Sequence, residues 1–139
     1  MNEQVFWTIL LGVTVYVLGQ VFVKFVIDPI QNLYKLIGEV GHSLIYYANL
    51  YSNTQVCDKS QLQEAHDTLR RQSCQLFSSA CAIPGYGLWA RLRLLPPYYD
   101  VQEAVGELIG LSNGCLDTSN LAAERNSKRR RMLEQLLRL

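Results

Sequence analysis

Residues Val5–Ile27, VFWTILLGVTVYVLGQVFVKFVI, form an apolar run of 23 residues whose only formal charge is Lys24, close to one end. As a helix rising about 1.5 Å per residue, the run is about 34 Å long, enough to cross a hydrocarbon core of about 30 Å. Of the 139 residues, about 110 remain outside it, enough for one small domain with its own core. The expected organisation is therefore a short extracytoplasmic tail at 1–4, a transmembrane helix at 5–27 and a cytoplasmic helical domain at 28–139.

A net charge of +1 hides an asymmetry: all thirteen Lys and Arg lie at or beyond Lys24, while MNEQ carries a Glu and no basic side chain. Basic residues flanking a span favour the cytoplasmic face, which predicts N-terminus out and C-terminal domain in. A cleaved signal peptide competes with an anchor. It fits poorly, because there is no basic n-region, the run is long, and no small-x-small cleavage site follows. Cys57, Cys74, Cys81 and Cys115 show no CxxC pairing. Cytoplasmic thiols are expected to be reduced, here partly buried. His66 near Cys57 and Cys74 makes a weak metal set by spacing, and no metal is expected.

Within the span Thr8, Gly12, Tyr16, Gln20 and Lys24 recur every four residues and so form a slowly drifting polar stripe. Gly12 and Gly19 stand a heptad apart, where small residues let helices approach. Two readings compete. Either Lys24 snorkels to the headgroups and Gln20 is tolerated, or the spans self-associate, in the extreme around a polar lumen.

Beyond the span, Asp28-Pro29 has N-cap and first-turn chemistry for a second helix, continuous with the span or kinked from it. Ile30, Leu33, Tyr34, Ile37, Val40, Leu44, Ile45, Ala48 and Tyr51 carry its apolar face to about residue 52, with Lys35, Glu39, His42, Ser43 and Asn49 opposite. Tyr34, Tyr46, Tyr47 and Tyr51 are expected mostly in the core with bonded hydroxyls. SNTQVCDK reads as a loop, and Ser60-Gln61-Leu62-Gln63 as a capping box. Leu62, Ala65, Leu69, Leu76, Phe77, Ala80 and Ile83 then mark a third helix to about 82, with His66 on its apolar face as a satisfied core residue. Pro84-Gly85 interrupts. A short fourth helix in YGLWARLRLL mixes Tyr86, Leu88, Trp89, Leu92 and Leu95 with Arg91 and Arg93 before Pro96-Pro97 stops it. Asp100 and Glu103 offer caps for a fifth helix through Val101, Ala104, Val105, Leu108, Ile109 and Leu111 to Asn113-Gly114. The last is expected from Thr118 or Ser119, with Leu121, Met132, Leu133, Leu136 and Leu137 apolar. No segment alternates like a strand, so the fold class is all-α: one transmembrane helix followed by a small helical bundle.

GxxxxGK[ST], GxGxxG, HExxH and GxSxG are all absent from the sequence, and neither an enzyme nor a cofactor is expected. Glu103 and Glu107, one turn apart, read as a solvated face. With His66 they are the residues to test if the chain is a degenerate enzyme. Arg125, Lys128, Arg129, Arg130 and Arg131 form a basic patch with three readings: anionic lipid, nucleic-acid phosphates, or a solvated face with salt bridges.

The stretches DPIQNLYKLIGEVGHSLIYYANLYSN, AIPGYGLWARLRLLPP and ELIGLSN, about a third of the chain, resemble small bacterial single-pass membrane proteins of unassigned role. In architecture the chain also resembles phage-defence accessory proteins that join a membrane helix to a HEPN-like bundle and assemble into pores. HEPN ribonucleases carry an Arg, four to six residues, then His. Only Lys24 and Lys35 precede His42, and no Arg lies between Lys59 and His66, which argues against RNase activity. The polar stripe in the span and the lack of catalytic motifs lead to a non-enzymatic protein of the bacterial inner membrane acting by oligomerisation or by binding a cytoplasmic protein, with a pore-forming defence effector as the sharpest version. The alternative is a membrane-tethered nucleic-acid-binding module.

Overall fold

The computed structural model describes residues 2–52, 57–119 and 121–139, and among them the chain is helical with no strand. Its elements are α1 (Glu3–Phe22), a π-helical turn (Val23–Ile27), α2 (Asp28–Tyr46), α3 (Ala48–Ser52), α4 (Lys59–Cys81), α5 (Tyr86–Arg91), α6 (Tyr98–Cys115) and α7 (Ala122–Leu137).

The first three elements are one continuous helix of 44 residues, Glu3–Tyr46, apolar and long enough in its first half to cross a membrane. Asp28 is not an N-cap: its backbone is helical (φ −59°, ψ −47°), and its N–H bonds the Val23 carbonyl five residues back. That wider turn answers Pro29. A proline inside an α-helix lacks a donor and crowds the carbonyl one turn back, and a π turn just before it makes room.

α1 buries nothing. From Leu33 onward the same helix is core: Leu33, Leu36, Ile37, Val40 and Leu44 all face the bundle. Ser43, expected on the open side, is buried as well. It accepts the Gln72 amide at 2.8 Å, while that amide also reaches the Glu39 carbonyl at 3.2 Å. Ile45 and Tyr46 are instead exposed. The helix breaks at Tyr47 (φ −91°, ψ 11°), so α2 and α3 stand where a single helix to about residue 52 was expected. Among the four tyrosines, only Tyr47 and Tyr51 are core. The Tyr51 hydroxyl donates to the Leu44 carbonyl at 2.6 Å.

Of the loop SNTQVCDK, residues 53–56 lie outside the described residues. Asp58, not Ser60, caps α4: its carboxylate accepts from the Ser60 N–H at 3.4 Å and from the Ser60 hydroxyl at 2.8 Å. Those two bonds hold the Asp58 carboxyl below the usual range. Leu62, Ala65, Leu69, Leu76, Ala80 and Ile83 are buried as expected, but Phe77 is exposed. α5 is shorter than expected, and Leu88 and Leu92 face outward. α6 starts at Tyr98 after Pro97 and runs one residue past Asn113-Gly114. α7 starts at Ala122 rather than Thr118 or Ser119, because Asp117 folds the preceding residues into a turn by accepting the Ser119 N–H at 2.9 Å. Leu121 is exposed.

Hydrogen bonds fix the order of the bundle. The Asn32 amide donates to Ser79 Oγ at 3.0 Å, and the Gln72–Ser43 bond lies farther along α2, so α4 runs antiparallel to α2. The Cys81 thiol lies 3.5 Å from the Tyr98 hydroxyl, and His66 Nδ1 lies 2.9 Å from the Ser112 carbonyl, so α6 runs antiparallel to α4. α7 then runs antiparallel to α6, with Arg129 beside Glu107 and Asn126 beside Gly114. The domain therefore has two poles. The near pole, at the end of the apolar run, holds the start of α2, the end of α4, α5 and the start of α6. The far pole holds α3, the start of α4, the end of α6 and the start of α7.

Candidate functional site

The polar stripe lies on a bare rod. Thr8 and Thr14 turn their hydroxyls back to their own helix, donating to the Gln4 and Leu10 carbonyls at 2.8 Å each. Gly12 and Gly19 have nothing within 4 Å of where a Cβ would stand. Tyr16, Gln20 and Lys24 are exposed, and the described residues give the Gln20 and Lys24 side chains no partner. In lipid an amide without a partner favours a neighbouring helix that supplies one.

The basic residues Arg125, Lys128, Arg129, Arg130 and Arg131 fall at the far pole. Asn126, in their midst, is 1% exposed and donates its amide to the Tyr51 carbonyl at 2.8 Å and the Gly114 carbonyl at 3.1 Å. At about 1.5 Å per residue, Tyr46 already lies about 28 Å beyond Ile27. The screening length in physiological salt is about 8 Å, so a leaflet ending near Ile27 would be out of this patch's electrostatic reach.

Three of the five cations are already engaged. Arg125 donates to Asp117 Oδ2 at 2.9 Å and Ser119 Oγ at 2.8 Å. Arg129 Nε lies 3.8 Å from Glu107 Oε2, and its guanidinium covers Gly110, where a Cβ would collide with it. Arg130 pairs with Glu134 at 2.9 Å, which holds its pKa up. Lys128 and Arg131 have no partner among the described residues. They line an open depression of about 750 Å³ with Leu121, Glu124, Arg125 and Ser127.

The other candidates do not converge. Glu107 is committed to Arg129 and His66 to Ser112, and no three His, Cys, Asp or Glu side chains gather among the described residues. Cys57 is half-buried beside the Asn49 carbonyl, whereas Cys74 and Cys81 are exposed. Cys115 is buried, and burial pushes its thiol up to about 11.

A second group of cations lies apart from this patch. Arg91 and Arg93 lie exposed at the near pole among Leu88, Leu92 and Leu94. Its signal is the alternation Arg-Leu-Arg-Leu ahead of Pro96-Pro97, a pattern that only its place in the bundle makes meaningful. Comparisons with protein-family profiles, with curated proteins and with solved structures returned no match.

Proposed function

We propose that this protein is a non-enzymatic membrane adaptor of the bacterial inner membrane. Its span self-associates, and its bundle presents the far pole to a cytoplasmic partner. One observation carries the reading. The helix Glu3–Tyr46 is uninterrupted, bare through its apolar half and core through the other. A helix built this way couples the position of the bundle to the span without a hinge between them. The distribution of Lys and Arg supports N-out, C-in orientation, and the unpartnered Gln20 beside open Gly12 and Gly19 supports association.

Crosslinking in native membranes tests association. A ladder weakened by Gln20→Leu is expected, and a monomer at every expression level sinks the claim. Protease added to inverted vesicles should digest the bundle and leave a protected fragment ending near Ile27. Digestion only from the opposite face reverses the orientation.

Lys128 and Arg131 favour a second reading, nucleic acid held by the far pole. Lys128→Gln with Arg131→Gln should then abolish salt-sensitive RNA or DNA retention by the detergent-solubilised chain. If the unmutated chain retains neither at low salt, the partner is a protein.

A further inference from the structure

At the near pole the chain makes a hairpin from Ile83 to Pro96 with an inside-out character. Its hydroxyl and indole N–H are bonded within it: the Tyr86 hydroxyl donates to the Pro96 carbonyl at 2.8 Å, and Trp89 Nε1 donates to the Pro84 carbonyl at 3.0 Å. The Tyr34 hydroxyl of α2 donates to the Leu94 carbonyl and so ties the hairpin to the rod. Its leucines are turned outward instead, with Leu88 59%, Leu92 58% and Leu94 51% exposed. Leu88, Arg91 and Leu92 share one face of α5, at spacings of three and four. A pinned loop that exposes three leucines has no account within the bundle.

Its height gives one. Asn32 bonds Ser79, and α4 climbs antiparallel to α2 from there, so its last residue, Cys81, comes level with Ile30, about 4–5 Å beyond Ile27. The hairpin then descends to Leu94, level with Tyr34, about 10 Å beyond Ile27. With Val5–Ile27 across a bilayer, this height corresponds to the headgroup layer, about 5–7 Å deep on each side of the hydrocarbon, and the first screening length below it. Trp7 and Trp89, the chain's two tryptophans, then bracket the span, as aromatic side chains do at membrane interfaces.

The backbone adds an independent mark. α5 ends in a Schellman turn, with the Leu94 N–H bonding the Trp89 carbonyl at 3.0 Å and the Arg93 N–H bonding the Ala90 carbonyl at 3.0 Å. The left-handed position of such a turn suits glycine, yet it holds Arg93 at φ 59°. A cation stands where the backbone favours no side chain at all.

We propose that the α5 hairpin is a second membrane contact, an interfacial foot that beds Leu88 and Leu92 among the lipids while Arg91 and Arg93 meet anionic headgroups. This rests on Val5–Ile27 spanning the bilayer. Apolar side chains flanked by arginines are the composition of interfacial segments, and the foot is continuous with the span rather than remote from it. With the foot planted, the bundle stands against the leaflet instead of swinging from it.

The full chain in vesicles of phosphatidylcholine with a quarter phosphatidylglycerol tests this by tryptophan quenching with spin-labelled lipids. Trp7→Phe leaves Trp89 as reporter of the foot, and Trp89→Phe leaves Trp7 as reporter of the span. Shallow labels should quench Trp89 several-fold more than deep ones, and Leu88→Gln with Leu92→Gln should remove most of that quenching. Both leucines are exposed, so the bundle's circular dichroism should not change. Arg91→Gln or Arg93→Gln should weaken the contact about fivefold each, and only where phosphatidylglycerol is present. Trp7 quenched with Trp89 untouched overturns the foot and leaves the span intact. Neither quenched overturns the span first. Quenching of Trp89 that is indifferent to phosphatidylglycerol overturns the role of the arginines.

Discussion

The two poles of the bundle carry similar residue types to opposite ends. At the far pole Arg125, Arg129 and Arg130 are paired while Lys128 and Arg131 are not, and the joint is closed by a buried amide, Asn126, that serves α3 and α6 together. At the near pole Arg91 and Arg93 stand exposed beside exposed leucines, while the hydroxyls and the indole N–H are spent inside the hairpin. The difference teaches that a basic cluster is not a surface property of a sequence. Its meaning depends on which carboxylates the fold brings to it and on where along the bundle it stands.

The largest expected effect breaks the far pole. Asn126→Ala leaves the Tyr51 and Gly114 carbonyls without their donor and opens a small cavity. It should cost about 2–3 kcal/mol in chemical denaturation of the detergent-solubilised chain. A loss within error would mean that water replaces the amide and that the joint is loose.

The corresponding test at the near pole is Tyr86→Phe, which deprives the buried Pro96 carbonyl of its donor and should cost about 1–2 kcal/mol. It also has a pH signature. Burial, with smaller contributions from Tyr34, Asp100 and Tyr98, raises the Tyr86 phenol from 10.0 to about 12. The folded state therefore holds this proton where the unfolded state has lost it. Stability from Tyr86 is full below pH 10 and declines as pH rises toward 12. The decline should be shallower in Tyr86→Phe, and equal slopes would remove Tyr86 as its source.

Arg93→Gly should move two measurements in opposite directions. Relief of the left-handed conformation, less the extra freedom of glycine in the unfolded chain, should stabilise by about 0.5–1 kcal/mol, while lipid contact weakens. A variant that loses stability would show that the Arg93 side chain holds the turn. Smallest is Arg129→Gln, since a half-exposed pair at 3.8 Å contributes about 0.5 kcal/mol or less. A loss of several times that would mean that covering Gly110 matters more than the charge.

The sequence carried the apolar run, the all-helical class and most buried positions of α2, α4 and α6, because those depend on periodicity along a single segment. It did not carry the poles. Nothing near Arg125 in sequence announces Tyr51, which meets Asn126 across 75 residues. Ser43 and Gln72 look like surface residues until the two helices pack and each supplies the other's bond. The break at Tyr47 carries no Gly or Pro. In α5 leucines and arginines are mixed along the segment, and the sequence does not say that Leu88 and Leu92 face outward.

The π turn at Val23–Ile27 has a consequence for geometry about the long axis. It accommodates one residue beyond the α-helical count, and each residue turns an α-helix by about 100°. The turn thus sets an azimuth: the direction in which the edge of Gln20 leaves the axis, measured against the direction in which the foot and bundle lie. Deleting one residue there swings that edge around the axis by about the same angle, leaving both halves intact but indexed differently.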